Sequence, residues 1–200
     1  EVRGAVLLCS PHPHFAGDMN NNVIRAVAAE LGRDAAVLRF DYRGVGDSAI
    51  ELPAGVSVFD YWSDVERLFD YDGALADAAD AADLLAEAGG PDLPTAVAGY
   101  SFGAAIGLML GLRRPEVRAM AGLAAPLCRL SFDFLAACPK PCLLLSGSDD
   151  FVYSPERAEA LAASAGPNVK FTLLAGKDHF FRGEEELPAG IVWEFISRWM

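Results

Sequence analysis

Apolar runs of strand length alternate with helix-period segments along the whole chain. Ala5–Cys9, Ala35–Phe40, Thr95–Ala98, Val117–Leu123, Cys142–Leu145 and Val169–Leu174 are short, apolar and bounded by turn residues. They read as strands buried on both sides, the usual condition of a parallel sheet. The segments between them carry the 3.6-residue period. In Asn20–Leu31, Val23, Ile24, Val27 and Leu31 share a face; in Ala74–Ala88, Leu75, Ala78, Ala79, Ala82 and Leu85 share one while Asp77, Asp80 and Asp83 take another. Phe102–Leu112, Pro155–Ala165 and Glu184–Trp199 complete the helices. This alternation predicts an α/β fold of three layers, a mostly parallel sheet with helices on both faces. At 200 residues, 52% hydrophobic, with no repeat and no Pro- or Ser-rich linker, a single domain over residues 1–200 is expected.

Charge narrows the partners. Asp+Glu 28 against Lys+Arg 16 leaves −12, which disfavours phosphate backbones and anionic lipid, so neither nucleic acid nor membrane is expected as a partner. No charge falls between Pro94 and Leu112, close to the length of a membrane span. Pro94, Gly99, Tyr100, Ser101, Gly103, Gly107 and Gly111 interrupt that run, and strand–turn–helix fits it better. Cys9, Cys128, Cys138 and Cys142 are too few and too scattered for a disulfide framework. Glu1 opens the chain, and Gly4–Cys9 is too short for a secretory leader. A cytoplasmic protein is expected.

The segment Ile50–Tyr71 breaks the alternation. It carries Phe59, Tyr61, Trp62, Phe69 and Tyr71, with Asp60 placed to cap a short helix that stripes Tyr61, Val65, Leu68 and Phe69. Such a stripe is either a packing face or, beside a site, a small aromatic cap.

The chemistry gathers after strands. The three histidines fall in Pro11-His12-Pro13-His14 and Asp178-His179, both just past predicted strands. Gly99-Tyr100-Ser101-Phe102-Gly103 follows a strand and opens a helix, the setting in which a G-x-S-x-G turn exposes a serine hydroxyl. A serine needs a base oriented by a carboxylate. Asp149 and Asp150 end the loop after Cys142–Leu145, and His179 ends the next. The order Ser101, Asp150, His179 belongs to one hydrolase architecture and differs from the chymotrypsin and subtilisin orders. Gly44-Val45-Gly46 hints at a dinucleotide loop, but no helix start or acidic ribose partner follows at the right distance.

The chain resembles the α/β-hydrolase superfamily, and most closely its small predicted hydrolases with a His-Pro-His-Pro loop. The residues that carry the likeness are Pro11-His12-Pro13, Phe15-Ala16-Gly17, Arg39–Ser48, Gly99–Gly103, Gly147–Asp150 and Asp178–Phe181. The resemblance implies a Ser101 nucleophile, a His179 base, an Asp150 orienting acid, and neither metal nor organic cofactor. Asp150 is preferred to Asp149 on the family's Gly-x-x-Asp spacing from Gly147, and Asp178 is read as loop structure. It also implies an oxyanion hole made by the Phe102 amide and one amide of the loop after the first strand. Pro11 and Pro13 have none to offer, which leaves His14 or Phe15, with His14 preferred. Phe15, Tyr100 and Trp62 are the expected substrate-binding side chains. Ser10 and Ala16 depart from the family pattern, in place of a histidine and a glycine. Ala5–Cys9 corresponds to the family's third strand, two antiparallel edge strands usually preceding it.

The resulting expectation is a serine hydrolase acting through an acyl-enzyme on a small-molecule ester, thioester or activated amide. Acyl transfer at the same site and non-catalytic binding on a hydrolase fold are the alternatives.

Overall fold

The computed structural model describes residues 2–15, 17–90 and 92–200, so Glu1 and the Ala16 departure lie outside the described residues. Six strands form one sheet: β1 (Ala5–Cys9), β2 (Ala36–Arg39), β3 (Thr95–Tyr100), β4 (Val117–Leu123), β5 (Cys142–Gly147) and β6 (Val169–Leu174). Their order is β2-β1-β3-β4-β5-β6, and every pairing is parallel. The four central runs became strands because both of their faces are covered, whereas β2 and β6 at the sheet's edges are only partly buried, with Leu173 exposed. All of β1 is buried, with Val6 and Leu8 on one side of the sheet and Ala5, Leu7 and Cys9 on the other.

Helices α1 (Asn22–Leu31) and α6 (Glu186–Ile196) pack on the Val6 face; α3 (Asp72–Gly89), α4 (Phe102–Arg113) and α5 (Pro155–Ser164) pack on the other. The three layers follow from connection handedness. The chain steps from β1 to β2 in one direction and from β3 onward in the opposite one, so right-handed crossovers place their helices on opposite faces. The Val23, Ile24, Val27 and Leu31 face of α1 is fully buried. Each such side chain contributes about 1.5–3 kcal/mol on burial. The stretch Pro94–Leu112 is β3 plus α4, and among the described residues no helix is long and apolar enough to cross a membrane.

The segment 50–71 contains α2 (Val58–Leu68). Its cap is Ser57 rather than Asp60. The Ser57 hydroxyl accepts from the Asp60 amide, and the Asp60 carboxylate reaches back to the Ser57 amide at 3.0 Å, a reciprocal capping box. Trp62 and Val65 face the core, whereas Leu68 and Phe69 are exposed.

The acidic stripe on α3 is also less free than its spacing implied. Asp77 is half-buried and holds Arg43 through both carboxylate oxygens and the Arg43 amide, while Asp83 pairs with Arg114. The Arg43 carbonyl accepts from Trp62 Nε1 at 3.1 Å, so one arginine ties the loop after β2 to both α2 and α3. Cys9, Cys138 and Cys142 are buried free thiols, and Cys128 is exposed.

Candidate active site

Strand order turns around between β1 and β3, and loops leaving the carboxyl ends of strands at such a point collect ligands in open parallel sheets. Register brings the two loops together. Cys9 lies opposite Gly99, so the Pro11–Phe15 loop and the Gly99–Gly103 turn start side by side. The approach is close enough to demand glycine. A Cβ on Gly103 would stand 2.3 Å from the Cys9 carbonyl oxygen and 2.4 Å from that of Ser10; one on Gly99 would meet the Gly103 carbonyl at 2.0 Å. Gly103→Ala is therefore expected to cost about 3 kcal/mol of stability in chemical denaturation, despite the better helix propensity of alanine. A variant as stable as the parent would contradict this packing.

Ser101 occupies the turn itself with φ 56 and ψ −120, a left-handed backbone that costs a non-glycine residue about 1–3 kcal/mol. Hydrogen bonds hold it there: its amide donates to the Leu123 carbonyl at 2.8 Å, and its own carbonyl accepts from Ala104 at 2.9 Å. Ser57 and Ser154 cap their helices with their hydroxyls, but Ser101 does not cap α4. Its hydroxyl is left for the cavity that Ser101 lines. Phe102, the first residue of α4, presents one of the amides that a helix leaves without an internal acceptor.

On the neighbouring loops, Nδ1 of His179 lies 3.0 Å from both carboxylate oxygens of Asp150. Both residues are buried, and Asp150 also accepts from the Val152 amide at 2.8 Å. Asp149 is exposed and takes only the neighbouring Ser148 hydroxyl among the described contacts. Asp178 accepts from the Phe180 amide at 3.0 Å and so braces the loop. With Nδ1 turned to Asp150, Nε2 is the ring nitrogen left outside that pair. Tyr100 lines the same cavity, but its hydroxyl donates to the His179 carbonyl at 3.0 Å. Burial, reinforced by Asp150, holds that phenol well above its ordinary pKa. Tyr100 therefore steadies the histidine loop from within the cavity wall.

Ser101 and His179 share a cavity of about 500 Å³. Pro11, His12 and Phe15 line one side, Phe69 and Tyr71 another, and Phe151 with Phe180 a third. Phe15, Phe69 and Phe151 are exposed at its mouth. Glu66 and Arg129 also line it and pair at 2.7 Å. No cluster of three or more His, Cys, Asp or Glu side chains placed to hold a metal ion occurs among the described residues.

Two expectations require correction. Trp62 is fully buried behind the wall, edge-on to His12 at 5.5 Å and to Phe102 at 6.1 Å, and does not line the cavity. The His14 amide donates to Nδ1 of His12 at 3.2 Å, and the Phe15 amide to the His12 carbonyl at 3.0 Å. Both candidate oxyanion donors are thus engaged within their own tight turn. The His14 ring stacks on Phe59 at 4.2 Å and bonds the Phe59 carbonyl, away from the cavity. The amide of His12, between the two prolines, makes no hydrogen bond among the described residues. It is the one amide that the spacing of Pro11 and Pro13 leaves in the middle of the loop. Ser10 donates its hydroxyl to the Phe40 carbonyl at 2.8 Å, tying this loop to the end of β2.

Burial dominates the His12 side chain and lowers its pKa to about 4. The unfolded chain protonates near 6.5 while the folded one does not, so stability is lost as pH falls from about 6.5 toward 4. The full difference is on the order of 3 kcal/mol. The expected result is a melting temperature that falls across this window, with a shallower fall in His12→Phe. Parallel pH profiles for the two proteins would count against it.

A family signature described as the α/β-hydrolase fold matches residues 6–139. The chain belongs to the α/β-hydrolase family. It is 30% identical to an uncharacterised protein of Rickettsia prowazekii over 90% of this chain and 73% of that one. Among solved structures, a protein of unknown function from Agrobacterium tumefaciens, assigned to the α/β hydrolases, matches at TM-score 0.80 and 31% identity, covering 99% of this chain and 86% of its own. An α/β serine hydrolase homologue from Coxiella burnetii matches at 0.77 and 26%, over 97% and 85%. The α/β-hydrolase match takes in the loop after β1 and Ser101 but ends before Asp150 and His179, which rest on geometry.

Proposed function

We propose that this α/β hydrolase is a serine hydrolase that cleaves a small ester, thioester or activated amide through an acyl-enzyme. One observation carries the reading: a strained, uncapped Ser101 at the sheet's switch point shares a cavity with a histidine whose far nitrogen is held by a buried carboxylate. Ser101 Oγ attacks the substrate carbonyl carbon while His179 Nε2 takes its proton. Asp150 keeps the imidazole in the tautomer that can accept that proton and stabilises the imidazolium that forms. The Phe102 and His12 amides donate to the oxyanion, each contributing on the order of 3 kcal/mol to the barrier reduction. Collapse of the intermediate breaks the bond to the leaving alkoxide, thiolate or amine, which takes the proton from His179. Water then attacks the acyl-enzyme by the same route and releases the acid and free Ser101.

The test is covalent labelling. A fluorophosphonate probe should modify the folded protein once, and peptide mapping should place the adduct on Ser101. A folded protein that resists the probe would sink the acyl-enzyme reading and favour non-catalytic binding.

A further inference from the structure

Two charged side chains stand in the wall of the cavity and take no part in the proposed chemistry. Glu66 sits on α2 and Arg129 on the loop after β4, and among the described residues that line the cavity only these two carry a permanent charge. Phe15, Phe69, Leu130, Phe151, Val152 and Phe180 share the lining with them. The two charges meet, Arg129 Nη1 donating to Glu66 Oε1 at 2.7 Å. Both are within reach of a ligand, since the Arg129 side chain is 55% exposed and that of Glu66 36%.

An exposed ion pair contributes little to stability, so fastening α2 to that loop is a weak reason for placing charge in an aromatic wall. Its electrical effect on a ligand is larger. Beyond the burial that dominates it, the His12 pKa is raised by Glu66 and lowered by Arg129, so the two fields oppose each other at the loop beside Ser101. A ligand carboxylate is repelled by Glu66 while Arg129 attracts it, and a ligand ammonium meets the reverse. Either ion also gives up water to aromatic walls, with no net attraction to offset that loss. An uncharged chain avoids the loss and gains from each methylene it buries. Removing one partner changes the balance, because the survivor is an accessible, unpaired charge that attracts an ion of opposite sign.

We propose that the Glu66–Arg129 pair sets the charge preference of the cavity: closed on itself it selects substrates with an uncharged apolar chain, and each partner masks the other's attraction for ions. Calling that ligand a substrate rests on the hydrolase reading, whereas its charge preference does not. The preferred class is then esters of uncharged aliphatic or aromatic acids. Half-esters of dicarboxylic acids and esters of amino acids are poor ligands. The exposed rings of Phe15, Phe69 and Phe151 suit the same apolar chain.

Binding, measured without turnover, tests this. Ser101→Ala protein is titrated calorimetrically with ethyl heptanoate, monoethyl pimelate and ethyl 7-aminoheptanoate, chains of similar length that end uncharged, anionic and cationic. With the pair intact, ethyl heptanoate should bind about tenfold tighter than either ion. Adding Glu66→Gln should tighten monoethyl pimelate about tenfold and leave the amine no tighter; adding Arg129→Gln should do the reverse. Adding both should restore the original ranking, because the wall is neutral again. Melting temperatures should stay within about 3 °C of one another, as expected for an exposed pair. The proposal fails if ethyl heptanoate does not bind, or if the ranking is the same in all four proteins. A clamp between α2 and the loop would give that second result, with lower melting temperatures in every variant. Tightest binding of the amine with the pair intact would also overturn it and assign the selection to the net charge of −12. Fluorophosphonate labelling of the parent reports separately on the hydrolase reading, so the two failures cannot be confused.

Discussion

Ser101→Ala is expected to lower kcat on a short p-nitrophenyl ester by about 10⁶-fold while leaving the fold intact. The magnitude follows from the roles proposed for the residues. Without Oγ no acyl-enzyme forms, and the His179–Asp150 pair has no proton to manage. What remains is the contribution of the oxyanion donors and of binding, about 10³–10⁴-fold over water. Stability should change little. Alanine is held at the same φ 56 by the same backbone bonds, from Ser101 to Leu123 and from Ala104 to Ser101, and no helix cap is lost. The measurement is steady-state turnover beside a melting curve. A Ser101→Ala protein that retains a tenth of parental activity would remove this residue from the mechanism.

Asp150→Asn is expected to cost about 10⁴-fold in kcat, and Asp149→Asn less than about threefold. The two carboxylates are adjacent in sequence but differ in environment. Asp150 is buried and meets His179 Nδ1 through both oxygens, so it fixes which ring nitrogen carries hydrogen. An asparagine there turns an N–H toward Nδ1, favours the opposite tautomer and disables Nε2 as a base. Asp149 is solvated, and its loss removes only a local bond from the Ser148 hydroxyl. Equal losses from the two variants would show that the assignment of the orienting acid is mistaken.

The layered fold was legible because it is written locally. Strand-length apolar runs and the periodic face of α1 each declare their element within ten residues or so, and the parallel sheet follows from their alternation. The Gly99–Gly103 turn was legible for a similar reason, since a backbone approach that only glycine permits leaves a trace in the sequence itself. Harder to read were directions and partners. Trp62 looked like a ligand-facing aromatic because its helix lies beside the site, yet Tyr42, His12 and Phe102 pack around it on the core side. Helical spacing places Asp77 on a face with Asp80 and Asp83, and only the loop after β2 supplies the Arg43 that claims it.

By itself the sequence determined the three-layer α/β architecture and the placement of Ser101, Asp150 and His179 each just past a strand. Both depend on short-range pattern and on the rule that loops at strand ends converge. Tertiary structure alone decided which amide of the His12–Phe15 turn has no hydrogen bond among the described residues and which wall residues reach the cavity. These are questions of which group meets which across segments far apart in the chain, as when Glu66 pairs with Arg129. Hydrogen bonds are directional and act over about 3 Å, so no periodicity along the sequence can announce them.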